Sequence, residues 1–142
     1  MRLSLLLLST VVADEAVKLG VLYQQGLASY SGFHPSSPSL NGDNFFLHPN
    51  APPTDGVITF QIDTVAPCFR LTATLYNAAG HCTDCDGVLV TISTPVETLL
   101  SQIVRPGARH DVDVAVSQQT DALTVTVNAI SAHTSDWFYL QH

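Results

Sequence analysis

Basic residues are scarce in this sequence, with five lysines and arginines against twelve aspartates and glutamates and a formal net charge of −7. Nucleic-acid binding normally requires a cluster of Lys and Arg that neutralises phosphates, and the chain contains no such cluster. Nucleic acid is therefore excluded as an expected partner. A neutral glycan, a cation or a basic protein suits this charge better.

Cysteine is scarce too, because Cys68, Cys82 and Cys85 are too few for a disulfide scaffold. Cys68 opens a predicted strand of about eight residues, roughly 25 Å long at about 3.3 Å per residue. The other two cysteines follow the far end of that strand, so a bridge to Cys68 requires the loop to fold back. We favour a Cys82–Cys85 disulfide with Cys68 as a buried thiol; pairing between two chains is the alternative.

Long apolar runs are absent except at the N-terminus, where Arg2 precedes a leucine-rich stretch and small residues follow at Val11 and Ala13. That stretch is well short of the roughly 20 residues that a transmembrane helix needs. Residues 1–13 are therefore predicted to be a secretory signal peptide, with a buried strand or helix as the alternative. The expected location is secreted or extracellular, without a membrane span.

Helical periodicity is missing after Gln25, whereas apolar and polar residues alternate with a period of two through much of the chain. Five segments are clear strands, at 58–62, 69–76, 88–92, 112–116 and 123–127. Weaker strand candidates are 43–48, 98–104 and 136–141, and residues 16–23 fit either a first strand or a short helix. About eight strands separated by turn signals indicate an all-β antiparallel sandwich of the jelly-roll type, with a closed barrel as the alternative.

The predicted organisation has three parts. A signal peptide occupies residues 1–13, and an N-terminal strand or strap with a Ser/Gly/Pro-rich loop occupies 14–42. The β-sandwich occupies 43–142. Within the second part, residues 26–42 form either a long surface loop or an ordered strap across one end of the sandwich.

Local signatures of catalysis are lacking as well. No G-x-S-x-G elbow marks a serine, and most aspartates stand at strand ends and turns, where solvated or turn-capping roles are common. A small glycan-active hydrolase or lyase with a carboxylate pair is kept as an alternative. No catalytic residue is assigned.

One short segment carries residues typical of metal and redox sites. His81, Cys82 and Cys85 resemble half of a zinc site, but the second ligand pair is missing. The Cys-x-x-Cys motif lies in a polar turn between strands and not at a helix N-terminus, which disfavours redox chemistry. Asp84 and Asp86, with carbonyl groups of the same turn, are candidate ligands for a structural calcium ion, although EF-hand spacing is absent.

Aromatic and histidine side chains close to predicted loops favour a binding function. Sugar sites combine an aromatic face, which covers the apolar side of a ring, with a few polar groups for its hydroxyls. Core packing is the alternative for Trp137 and Phe138. The side chains near loops are Tyr30, His34, His48, His110, His133, Trp137 and Tyr139.

The order of segments resembles the NPCBM family, the novel putative carbohydrate-binding modules. The first half of the family pattern is matched by residues 42–49, which end in His48-Pro49, by the strand 57–62 and by the run 69–74. The second half is matched by 87–92, 111–114 and 123–127. The run 133–137 (His-Thr-Ser-Asp-Trp) resembles the closing His-x-x-Asp-Trp element of the family. The resemblance covers about residues 38–141. The sequence departs from the family pattern in two places. Phe45-Phe46-Leu47-His48 replaces the usual aromatic-Gly-x-x-His run, and the Asp-rich turn contains the cysteine pair.

The resemblance implies a galactose-binding-like jelly roll that binds sugar at loops on one end, without catalysis and sometimes with structural calcium. Three residues match family motifs, His48, Asp136 and Trp137, and Tyr139 and His133 complete the candidate carbohydrate-binding set. The first hypothesis is a secreted lectin-like module for a neutral glycan. The second is an extracellular structural or protein-interaction domain without a working sugar site. Under either hypothesis, a protein or a glycan-active enzyme is an expected partner.

Overall fold

The structure, a computed structural model, describes residues 18–50, 54–62, 69–78, 86–116, 120–130 and 138–142. Within these ranges the chain forms one helix and ten strands. They are α1 (Leu19–Gln24), β1 (Ala28–Ser31), β2 (Ser39–Asn41), β3 (Asn44–Leu47), β4 (Gly56–Gln61), β5 (Phe69–Asn77), β6 (Val88–Ser93), β7 (Thr98–Val104), β8 (Arg109–Val116), β9 (Ala122–Asn128) and β10 (Phe138–Gln141).

The strands form two antiparallel five-stranded sheets. The first sheet has the order β1-β4-β9-β6-β7, and the second has the order β2-β3-β10-β5-β8. Strands that are distant in sequence are therefore neighbours in space, and β10 lies between β3 and β5. This arrangement is an antiparallel β-sandwich, which confirms the fold class predicted from the alternating pattern.

Alternation buries one side of each long strand between the two sheets. In β4, Ile58 and Phe60 are fully buried, and Phe45 of β3 meets Phe60 edge to face with ring centroids 5.6 Å apart. Tyr23 of α1 packs against Phe45 in the same way, at 5.3 Å. A single hydrophobic core thus joins both sheets and the helix.

The six-residue helix α1 is too short to be stable alone and is held by contacts with distant parts of the chain. Leu19 and Leu22 are buried in the core. The backbone N–H of Leu19 donates a hydrogen bond to Nδ1 of His142 at 3.0 Å. Lys18 donates to the backbone oxygen of His142 at 3.3 Å and lies 3.7 Å from the Asp43 carboxylate. The start of the helix is therefore fixed by the segment that follows β10.

The predicted strands are confirmed, and the N-terminal region differs in detail. All five clear segments form strands, although Ile62 lies just past the end of β4, and 98–104 is a strand as well. Strands also form over 44–47 of the candidate 43–48 and over the described part of 136–141. Residues 26–42 contain two short strands, β1 and β2, on either side of a cis Ser37-Pro38 bond. Both are short edge strands with little burial, so they lack the alternation by which the longer strands were recognised. Where a strand or a helix was expected over 16–23, the described part forms α1.

Several sequence predictions fall outside the described residues. These are the signal peptide at 1–13, the Cys82–Cys85 disulfide and the Cys68 thiol. In the described ranges the one helix, α1, lacks the length and apolar character that crossing a membrane would require.

Candidate functional site on the outer face of the second sheet

A row of three aromatic side chains crosses the outward face of the second sheet. Strand register sets Phe46 of β3 opposite Tyr139 of β10, and Tyr139 opposite Tyr76 of β5. Tyr76 in turn lies opposite Arg109 of β8. Residues directly opposite one another point to the same face, and their chain neighbours Phe45, Leu75 and Leu140 fill the core. We call Phe46, Tyr139 and Tyr76 the aromatic row.

The rings of the aromatic row are close enough to form one continuous surface. The centroids of Phe46 and Tyr139 are 5.3 Å apart, and those of Tyr139 and Tyr76 are 6.3 Å apart with the planes inclined by 26°. All three side chains are half-buried. At the β8 end, the guanidinium carbon of Arg109 lies 4.2 Å from the Tyr76 centroid, a cation–π contact. Its Nη1 also donates to Oε1 of Gln141 at 3.1 Å, which fixes the guanidinium in place.

A second, polar row runs parallel to the aromatic row, two residues further along each strand. It consists of Asn44, Gln141, Thr74 and Asp111, which lie opposite one another in that order across β3, β10, β5 and β8. Thr74 donates its hydroxyl to Oδ1 of Asp111 at 3.0 Å. A shallow depression of about 340 Å³ lies here, and its lining residues are Thr72, Ala73, Thr74, Asp111, Val112, Gln141 and His142. Amide, hydroxyl and carboxylate groups thus stand about 7 Å from the aromatic row.

Two stacked histidines adjoin the aromatic row beyond the end of β3. The rings of His34 and His48 are 4.9 Å apart and nearly parallel, and Phe46 lies 5.8 Å from His48. His48 is only 7% exposed, whereas His34 is exposed. The backbone N–H of His48 donates to Oγ of Ser37 at 2.8 Å, and the carbonyl of His48 accepts from the N–H of His34. His34 is therefore the member of the pair that faces solvent.

Charges on the outward face of the second sheet are balanced. Arg70 of β5 forms an ion pair with Asp113 of β8. Asp113 lies opposite Thr72, which is two residues from Arg70 along β5. Arg109 and Asp111 add one charge of each sign. Such a surface has no strong preference for an anionic or a cationic ligand, and it suits a neutral one.

The outward face of the first sheet has a different chemical character. Its described positions carry mainly hydroxyls and no aromatic ring, and Thr59 and Thr124 are hydrogen-bonded to each other at 3.0 Å. Threonine is favoured on exposed strands for its β-propensity alone. The aromatic and polar rows together therefore mark the second sheet as the candidate binding face.

The structure brings two of the sequence-predicted sugar residues together. Tyr139 is the central ring of the aromatic row, and His48 adjoins Phe46. The other three, His133, Asp136 and Trp137, lie outside the described residues, as does Asp84. Asp86 is described and is exposed just before β6. In the part of the chain that is described, no group of three His, Cys, Asp or Glu residues could hold a metal ion, so calcium at Asp84 and Asp86 stays a prediction.

Several residues of this face were not singled out from the sequence. They are Phe46, Tyr76, Arg109, Thr74, Asp111 and Gln141. Alternation already marks Thr74 and Tyr76 as water-facing positions of one strand. The missing information was strand order, because β5 is separated from its neighbours β8 and β10 by about 40 and 70 residues in the chain.

Solved structures with a similar fold include several carbohydrate-binding modules. A family 27 module studied for mannan recognition superposes with a TM-score of 0.60 and 12% identity, covering 90% of this chain and 92% of that one. A family 51 module of a Clostridium perfringens family 95 glycoside hydrolase, in complex with methyl-galactose, gives a TM-score of 0.54 and 9% identity. The tandem family 51 modules of a Streptococcus pneumoniae family 98 glycoside hydrolase give 0.55 and 14%.

These similarities establish the β-sandwich fold. This chain covers 66% of the Clostridium chain and 30% of the Streptococcus chain, so it spans only part of either. No protein-family profile matches the sequence. No curated protein matches it either.

Proposed function

We propose that this protein is a non-catalytic carbohydrate-binding module that holds a neutral glycan on the outward face of the second sheet. The observation that carries the proposal is the register-aligned aromatic row beside a parallel polar row. Sugar rings present an apolar face that stacks on aromatic rings and a rim of hydroxyls that needs hydrogen-bond partners. The carbohydrate-binding modules among the similar folds support this assignment.

The geometry favours a glycan chain that runs across the strands. Successive rings of the aromatic row are 5.3 and 6.3 Å apart, a spacing close to the length of one pyranose unit. Neighbouring sugars would therefore stack on neighbouring rings, and the amides of Asn44 and Gln141 and the hydroxyl of Thr74 would bond their hydroxyls. Arg109 lies over the Tyr76 ring at the β8 end of the aromatic row.

The NPCBM resemblance supplies a second part of the proposal. His133, Asp136 and Trp137 immediately precede β10, the strand that carries Tyr139. We propose that these three residues take part in the same site, and we retain secretion and calcium binding at Asp84 and Asp86 as parts of the proposal. The Clostridium module is in complex with methyl-galactose and the family 27 module was studied for mannan recognition, so methyl-galactose and mannan are reasonable first ligands to test.

A hydrolytic role has less support from this face. Most glycosidases need two carboxyl groups on either side of the scissile bond. The depression beside the aromatic row contains one, Asp111, and its hydroxyl partner is Thr74. Glycan release after long incubation of the protein with a bound polysaccharide would reinstate the enzyme alternative.

The deciding experiment is a glycan-array screen of the protein, with calcium and with a chelator, followed by calorimetry on the best ligand. Tyr139→Ala and Trp137→Ala should each abolish binding. Tyr30→Ala is the matched control, because Tyr30 is a 52% exposed tyrosine at the edge of the first sheet. Binding that survives Tyr139→Ala but not Trp137→Ala would locate the site at the loops alone.

The alternative is an extracellular protein-interaction domain that lacks a working sugar site. It would be favoured if the folded protein binds no glycan in either condition. The Tyr139→Ala variant must first be shown to retain the circular dichroism and thermal transition of the parent, because Tyr139 also contacts two other rings.

A further inference from the structure

The four edges of the two sheets differ in how they are protected against pairing with another chain. β1 and β2 are only four and three residues long. β8 carries Arg109, Asp111 and Asp113 at alternate positions. Short length and charge are both common means of blocking an edge strand. Three of the four edges are therefore poor templates for strand addition.

The fourth edge, β7, is neither short nor charged, and its pairing with β6 is regular from Leu100 to Val104, with a register shift at Leu99. Its seven residues, Thr98–Val104, include no charged residue, no proline and no glycine. Among the described strands it pairs with β6 alone. Ile103 is 41% exposed, and Val96 in the preceding turn is 67% exposed. In a protein with a net charge of −7, an uncharged strand of this length stands out as a pairing surface.

Charged residues of opposite sign flank β7 at its two ends. Glu97 precedes the strand and is fixed by a turn in which its N–H donates to Oγ1 of Thr94 at 3.2 Å. Arg105 follows the strand, and its carbonyl accepts from the N–H of Ala108 at 2.9 Å. Both side chains are exposed, and neither takes part in an ion pair within the described ranges.

We propose that β7 pairs antiparallel with β7 of a second copy of this chain, in the register that places Ser101 opposite the partner's Ser101. Glu97 and Arg105 are each four residues from Ser101. This register therefore sets Glu97 opposite the partner's Arg105 and Arg105 opposite the partner's Glu97. The same contacts recur twice about the two-fold axis, as a closed dimer requires.

The pairing also satisfies the side-chain pattern of the strand. Ile103 meets the partner's Leu99, and Leu100 meets the partner's Gln102, so the pairs on either side of the central Ser101 pair each contain at least one apolar side chain. A single strand pair is small against a stable interface of roughly 1,600 Å², so the dimer should dissociate in the micromolar range or above.

Charge reversal tests the register directly. Sedimentation velocity of the full chain, in reducing buffer to exclude a disulfide through a cysteine thiol, should show a concentration-dependent dimer. Glu97→Arg and Arg105→Glu should each weaken dimerisation by about tenfold or more, because each places like charges opposite one another. The double variant that carries both reversals should restore it, since the opposite pairing is regained.

Each outcome decides the matter. A protein that stays monomeric at every concentration, or single reversals without effect, overturns the proposal. A double variant as weak as the single ones overturns the Ser101-centred register. Ser101→Lys is a second probe, because Ser101 is exposed and two lysines would then face each other at the centre; it should give a folded monomer.

Discussion

His142 accepts a hydrogen bond through its imidazole Nδ1 from the backbone N–H of Leu19, at 3.0 Å and across 123 positions of the chain. An acceptor nitrogen must be unprotonated, so the contact exists only with the neutral ring. Burial lowers the pKa of His142, the positive charge of Lys18 lowers it further, and the Asp43 carboxylate raises it in part. The contact therefore makes the attachment of α1 sensitive to acid.

We expect acidification to destabilise the protein through this residue. The pKa of His142 is lower in the folded state than its ordinary value of 6.5, so the unfolded chain binds the proton first. The stabilising contribution is complete above about pH 6.5 and is lost as the pH falls through the lowered folded-state pKa. His142→Asn offers an oxygen acceptor that does not titrate. Urea unfolding at several pH values should show a smaller acid-induced loss for this variant, and an equal loss would exclude His142 as the cause.

Adjacent residues of β3 should separate stability from binding. Phe45 is fully buried between Tyr23 and Phe60, so Phe45→Ala should lower the free energy of unfolding by about 3–5 kcal/mol. Phe46→Ala, on the opposite face, should cost less and should reduce glycan affinity. Denaturant unfolding and calorimetry measure the two effects; a reversed order of stability would mean that the register of β3 is wrong.

Asn77 should be a large polar contributor to stability. It is fully buried at the end of β5, and its Nδ2 donates to the carbonyl of Val104 in the opposite sheet at 3.1 Å. Removing one partner leaves a buried carbonyl unsatisfied. Asn77→Ala should therefore lower the free energy of unfolding by about 1–3 kcal/mol, measured in urea. The control, Asn44→Ala on the outward face, should change it by about 0.5 kcal/mol or less.

The polar row should affect affinity without affecting the fold. Thr74→Val preserves side-chain shape and strand preference but removes the hydroxyl beside Asp111. Loss of one hydrogen bond should weaken glycan binding by about tenfold at most. Thr124→Val makes the same change on the first sheet and should leave affinity unchanged in calorimetry. Equal effects of the two substitutions would argue against the second sheet as the binding face.

Much of the fold could be predicted from the sequence because a period of two is a local property. The segments 58–62, 88–92 and 123–127 alternate strongly, and each is a strand with its apolar residues in the core. β1 and β2 could not be recognised in this way, because they are short edge strands among Ser, Gly and Pro. Their pairing with β4 and β3 depends on neighbours that only the folded chain provides.

The candidate site was less accessible from the sequence than the strands. His48 was identified through the family resemblance and Tyr139 as an aromatic residue close to a predicted loop, whereas Phe46 and Tyr76 had no local signature. These residues become a site only when β3, β10 and β5 lie side by side. A site made by register across a sheet requires strand order, and alternation within single strands carries no information about it.

The central place of β10 in the second sheet has a consequence for the order of folding. Its four residues are the last strand of the described chain, yet they fill the gap between β3 and β5, about 90 and 70 residues earlier. Until they arrive, those two strands have no common neighbour, and the aromatic row lacks its middle ring. Contacts of such high sequence separation slow folding. The proposed binding face is therefore complete only after β10 has paired with both β3 and β5.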